Sequence, residues 1–123
     1  MSFIQSGYAA AAKDARVLNA NAHELITILF EELLNLLDEI HVIQTRDPTR
    51  KIVDQQAMAL SIVDSLIVSL DMERGGELAR NLRRNYSQAR ALIVTDDPVG
   101  RLENNRAAYR IISEISSAWS EIA

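Results

Sequence analysis

The stretch Leu25-Ile-Thr-Ile-Leu-Phe-Glu-Glu-Leu-Leu-Asn-Leu-Leu-Asp-Glu-Ile40 constrains this chain more than any other. Read at about 100° per residue, Glu24, Thr27, Glu31, Glu32, Asn35, Asp38 and Glu39 fall along one polar strip. Everything else in it is large and aliphatic or aromatic. A surface helix shows an apolar stripe a little over ~100° wide, and this one covers roughly twice that by the same count. Such a helix needs cover on two sides. Either its own fold supplies both, or something arriving from outside supplies one.

The chain of 123 residues is one domain's worth. Its many Ala, Leu, Ile, Glu and Arg residues and few Gly, Pro and aromatic ones lean helical. Without cysteine it has neither disulfides nor thiolate metal sites, which fits a reducing cytoplasm. The first residues carry no basic side chain ahead of their apolar positions, so they do not read as a secretory signal. No apolar run approaches the ~18 residues of a membrane span. The expectation is a cytoplasmic protein with no membrane insertion.

Four helices are predicted. Residues 1–20 read as a loose arm of weak helical propensity, because Gly7 and the small side chains of Ala9 to Ala12 offer little to bury. Phe3, Ile4, Tyr8 and Val17 are its docking residues. Asn21 caps the first long helix, with Glu24 placed to complete a capping box, and the helix runs to about Thr45. Asp47-Pro48 predicts a second helix over 48–70, with Asp47 as N-cap and Pro48 at the first position. Gly75-Gly76 breaks the pattern. A third helix is expected over 77–94 on Leu78, Leu82, Tyr86, Ala89 and Ile93. Asp97-Pro98 repeats the device and starts a fourth, reaching Ile122 on a stripe that includes Ala108, Ile112, Ile115 and Trp119. Short links set sequence neighbours antiparallel. The fold class is all-α, an antiparallel up-down four-helix bundle over 21–123 with an N-terminal arm over 1–20.

Chemistry is hard to find. Di-metal bundles use a Glu-x-x-His from each of two helices, and the nearest match here, Asp38-x-x-His41, occurs once. The other histidine, His23, lies on the same helix roughly 27 Å away, so the two cannot share a metal; both read as exposed residues near helix ends. No Gly-x-Ser-x-Gly elbow is present, and Gly75-Gly76 lacks the lysine of a phosphate loop. Trp119, Tyr86 and Tyr109 lie on or beside core stripes. No catalytic activity, metal or cofactor is expected. Net charge −4 argues against nucleic acid as partner. Eight of the thirteen basic side chains nonetheless fall between Arg74 and Arg110, a face expected to pair with acidic neighbours. Surplus apolar surface is the strongest remaining signal, and it suggests a groove for a helix or an extended peptide.

The segment Val17-Leu-Asn-Ala-Asn-Ala-His-Glu-Leu-Ile-Thr-Ile-Leu-Phe-Glu31 resembles the opening of the FliS family of flagellin export chaperones. A more specific match is Leu70-Asp71, Glu73, Gly75-Gly76-Glu77-Leu78-Ala79, Asn81-Leu82 and Tyr86, which resembles the family's Leu-Asp…Gly-Gly-Glu-Ile-Ala-x-Asn-Leu…Tyr signature. Ala118-Trp119 is similar to its closing Ala-Trp, and Ile4 and Tyr8 sit where the family's arm carries an apolar residue and a tyrosine. The departures are Asn21-Ala22 for a Ser-Pro cap, Glu31-Glu32 for an Asp-Gly, and the loss of an Arg-Arg-Leu segment beyond Tyr86.

The resemblance implies an antiparallel helical bundle that binds the disordered C-terminal segment of flagellin, prevents its premature polymerisation and delivers it to the flagellar export apparatus. Coupled folding and binding of that kind is driven by apolar burial along a long surface. The partner-binding residues it implies are Ile4, Tyr8 and Val17 of the arm, Leu25 and Leu29 of the first helix, and Asn81, Leu82 and Tyr86 of the third. Two other readings use the same chain. One is a helical adaptor for another secreted or regulatory protein. The other is an RNA-binding bundle using Arg80, Arg83, Arg84 and Arg90, whose affinity would fall steeply with salt.

Overall fold

A computed structural model describes residues 15–95, 97 and 99–122 of the chain. Residues 15–19 are helical, and four longer helices follow: α1 (Ala22–Arg46), α2 (Val53–Val68), α3 (Gly76–Val94) and α4 (Arg101–Ser120). Each of α1 and α3 packs on both α2 and α4, so the four close a ring. Cross-helix bonds fix their directions. His23 of α1 meets Trp119 of α4, whereas Leu37 meets Asn105. Gln56, near the start of α2, bonds Ile93 near the end of α3. Neighbours therefore run antiparallel, and the fold is the expected up-down bundle.

The centre is built around α1. Phe30, Leu33 and Leu37 are fully buried, with Val63 and Leu66 from α2 and Ile112 from α4. Tyr86, Ala89 and Ile93 bring the stripe of α3 to the same core. One polar insertion crosses it: Asn105 Nδ2 donates to Leu37 O at 3.0 Å, and Arg106 Nη2 donates to the same carbonyl at 3.2 Å. Arg106 also reaches Asp38 Oδ1 at 3.0 Å, so α4 grips α1 by its backbone and by its charge.

The helix ends combine agreement with correction. Asn21 Oδ1 accepts the Glu24 N–H at 2.8 Å, the forward half of the expected capping box. Asp47-Pro48 does not start α2. Asp47 is instead the C-cap of α1, extended at φ −144° and ψ 92°, as the residue before a proline prefers. Its carboxylate accepts from Thr49 N and Thr49 Oγ1 at 3.1 and 2.8 Å, organising a turn. Thr49, Arg50 and Lys51 carry no apolar side chain, so burial does not repay the entropy of ordering them into a helix. The helix waits until Val53, with Ile52 at its N-cap.

The second Asp-Pro behaves alike at its described residues. Asp97 Oδ1 accepts the Val99 N–H at 3.1 Å, Val99 is exposed, and α4 begins only at Arg101. At its far end α4 stops at Ser120, two residues short of the expected limit, and Ile122 is exposed.

The turn between α2 and α3 needs both glycines, for different reasons. Asp71 Oδ1 accepts from the N–H groups of Glu73 and Arg74, and Asp71 O accepts from Gly75 N at 2.8 Å. This coil brings Gly75 so close to α3 that a Cβ there would stand 2.5 Å from Ala79 Cβ and 2.8 Å from Asp71 O. Gly76 has open space but a φ of +54°, a left-handed conformation that costs other residues free energy.

Candidate functional site

At the end of the bundle where α1 and α3 begin and α4 finishes, the packing opens into a groove of about 640 Å³. One wall is Leu25, Ile26 and Leu29 from the first two turns of α1. The other is Leu78 and Leu82 from α3, with Leu70 from the preceding turn. Trp119 of α4 and Tyr86 of α3 complete the lining. The lining is overwhelmingly hydrocarbon, and its volume is that of a ligand cleft. Exposure tracks the opening: Leu78 is 66% exposed and Leu25 39%, although each belongs to an apolar stripe that is otherwise covered.

The two groove aromatics belong to a row of rings. Tyr86 and Trp119 flank Phe30, with centroids at 6.4 and 6.3 Å, and Trp119 meets Phe30 edge-on at 70°. His23 then stacks on the indole at 4.6 Å and 9°. The pair is also hydrogen-bonded both ways. Trp119 Nε1 donates to His23 O at 3.2 Å, and His23 Nε2 lies 3.2 Å from Trp119 O, where its N–H form donates. This ties the first turn of α1 to the last turn of α4 and fixes the indole plane. Burial pushes the Tyr86 hydroxyl up to about 12, so the ring stays neutral and acts as part of the wall.

Of the residues singled out by the sequence, Leu25, Leu29, Leu82 and Tyr86 come together in this groove. Asn81 does not line it; the side chain is exposed, with Oδ1 at 3.5 Å from Arg84 Nη1. Val17 lies apart from the groove lining, in the helical residues 15–19. That segment is tied to α1 through Arg16, whose guanidinium meets Glu31 at 2.6 Å and holds the carboxyl below its ordinary range. Ile4 and Tyr8 lie outside the described residues, as does Phe3.

Sequence reasoning missed His23, which is half-buried against Trp119 rather than an exposed helix-end residue. It also missed the groove role of Leu70, Leu78 and Trp119, of which Leu78 and Trp119 read as members of helix stripes. The spacing Leu78, Leu82, Tyr86 carried the signal, since a stripe that reaches the first turn of a helix outruns its cover there.

The basic residues are largely engaged. Arg90 pairs with Asp64 at 2.8 Å across α2 and α3, which raises its pKa, and Arg106 pairs with Asp38. Arg80 and Arg83 are exposed on the outer side of α3. Among the described residues no group of three or more His, Asp or Glu side chains is placed to hold a metal, and no helix is long and apolar enough to cross a membrane.

The chain has counterparts by sequence. A family described as flagellar protein FliS matches residues 4–123. The chain is 32% identical over 113 residues to flagellar secretion chaperone FliSB of Pseudomonas aeruginosa, covering 89% of this chain and 87% of that protein. It is 28% identical over 122 residues to flagellar secretion chaperone FliS of Salmonella typhimurium, covering 94% of this chain and 87% of that protein.

Proposed function

Because this chain belongs to the FliS family of flagellar proteins, we propose that its groove is a client site for the C-terminal segment of flagellin. The client enters disordered, lays an apolar stripe between Leu25 and Leu29 on one side and Leu78 and Leu82 on the other, and is held unpolymerised in the cytoplasm. It is then released to the flagellar export apparatus. The work is done by burial alone, with no catalytic step.

One observation carries this reading: leucines from α1 and α3 line one open apolar groove together with a clamped indole. Burying a leucine side chain fully is worth about 1.5–3 kcal/mol. Ordering a disordered segment costs about 2–5 kcal/mol, so several such contacts are needed to offset it. Those leucines supply them. The family resemblance adds the arm to this reading: residues 1–20, acting apart from the bundle of 21–123, bring Ile4 and Tyr8 over the trough until a client displaces them, with Val17 at the base.

The test uses Trp119, the chain's one tryptophan. Titration with a flagellin C-terminal peptide should shift its emission, and a Leu29→Glu, Leu82→Glu double variant should abolish the shift while remaining helical. Raising salt should leave the affinity nearly unchanged, whereas phosphate binding would weaken steeply. Unaltered binding in the double variant would remove the groove from the client path.

A further inference from the structure

We infer that the opposite end of the bundle holds one ordered internal water, bound by the side-chain amide of Gln44. Gln44 lies on α1 at only 1% exposure, roughly 30 Å along the helix from His23 and the groove. Both of its polar atoms, Oε1 and Nε2, are buried without a hydrogen-bond partner. A primary amide buried in that state is costly, and native folds satisfy such groups with protein or with water.

The surroundings decide between those two. A cavity lined by Gln44 also touches Leu37 and Ile40 of α1, Gln56 of α2, Thr95 after α3, and Asn105 of α4. It offers about 20 Å³ to the centre of a water-sized sphere, where one water needs about 10–15 Å³ on that measure. There is room for a single molecule.

Arg101 of α4, which donates to Pro48 O, also lines the cavity. Asn105 is occupied at both ends, donating to Leu37 O and accepting from Arg106. Gln56 has spent a donor on Ile93 O, and Thr95 has spent its hydroxyl hydrogen on Ala91 O. Gln56 retains its amide oxygen and a second amide hydrogen, and Thr95 retains acceptor oxygen. Gln44 brings a third acceptor and the donors of its own nitrogen. A water accepts from Gln44 Nε2 and has two hydrogens for those oxygens, the two to four partners that an internal water requires. An apolar occupant would leave every one of them unmet.

The experiment compares the full chain with Gln44→Met, which keeps the length of the side chain and removes both polar atoms. In a high-resolution crystal structure the native protein should show one water within hydrogen-bonding distance of the Gln44 amide, and the variant none. In solution, water-oxygen magnetic relaxation dispersion should report one fewer long-lived water in the variant. Should Gln44→Met not fold, the native crystal structure decides by itself. A native structure in which the amide bonds directly to protein groups, with no water in the cavity, overturns the inference. So does an unchanged number of long-lived waters in a folded variant.

Discussion

Leu78→Ala is the sharpest separation of groove from core that the structure offers. Leu78 sits in the first turn of α3 and is 66% exposed. Folding therefore gains little from it, and alanine is the better helix former, so the variant should unfold within about 1 kcal/mol of the parent. A client lying on that wall would cover the exposed two-thirds. At about 1.5–3 kcal/mol for a whole leucine side chain, the coverage contributes about 1–2 kcal/mol. The methyl left on alanine keeps part of this, so a flagellin C-terminal peptide should bind roughly 3- to 15-fold more weakly.

Affinity is read from Trp119 fluorescence, and stability from urea unfolding followed by helical circular dichroism. The midpoint should move slightly with no change in slope. Leu66→Ala is the contrast. Its side chain is fully buried, and its removal should cost about 2–5 kcal/mol of stability while leaving the groove lining intact. An unchanged affinity in Leu78→Ala, or a stability loss as large as that of Leu66→Ala, would refute the assignment of Leu78 to a client wall.

Gly75→Ala should destabilise by about 1–3 kcal/mol, because its Cβ would stand 2.5 Å from Ala79 Cβ and 2.8 Å from a backbone oxygen; thermal unfolding reads the loss. Trp119→Ala should cost less than a fully buried tryptophan, roughly 2–3 kcal/mol, since the ring is half-buried, and should weaken client binding as well. Tyr86 gives an alkaline signature. With its hydroxyl pushed up to about 12 in the fold and near 10 in the unfolded chain, the unfolded state loses its proton first. Stability should therefore fall as pH rises from about 10 to 12, and Tyr86→Phe should flatten that part of the urea-midpoint profile.

The helices were legible in the sequence because their evidence is local and repeated. Gly75-Gly76 marks the α2–α3 turn, Asn21 marks the start of α1, and the leucines of α1 mark its width. The Asp-Pro pairs misled for a physical reason. Aspartate before proline is as good an Asx turn as it is a helix start, and only the residues that follow decide between them. Thr49-Arg50-Lys51 gives a helix nothing to bury, and Val99 before Gly100 stays exposed, so in both places the turn prevails and the helix begins later. The buried amide of Gln44 was not legible either, since glutamine near a helix end ordinarily faces water.

The site was half legible, and the missing half has a single cause. Periodicity says which side chains share a face; it does not say where along that face the cover runs out. Leu25 and Leu29 obey the same repeat as Leu33 and Leu37, yet the first pair lines a trough and the second is sealed. The difference lies in the helix ends: α4 stops at Ser120 beside the first turns of α1, and α2 stops at Val68 before the Asp71 turn. His23 then becomes more than an end residue. By stacking on the indole, accepting its N–H at the His23 carbonyl and meeting Trp119 O through Nε2, it fixes the indole among the groove residues. With the indole fixed there, the exposed apolar surface of Leu25 and Leu78 persists beside it.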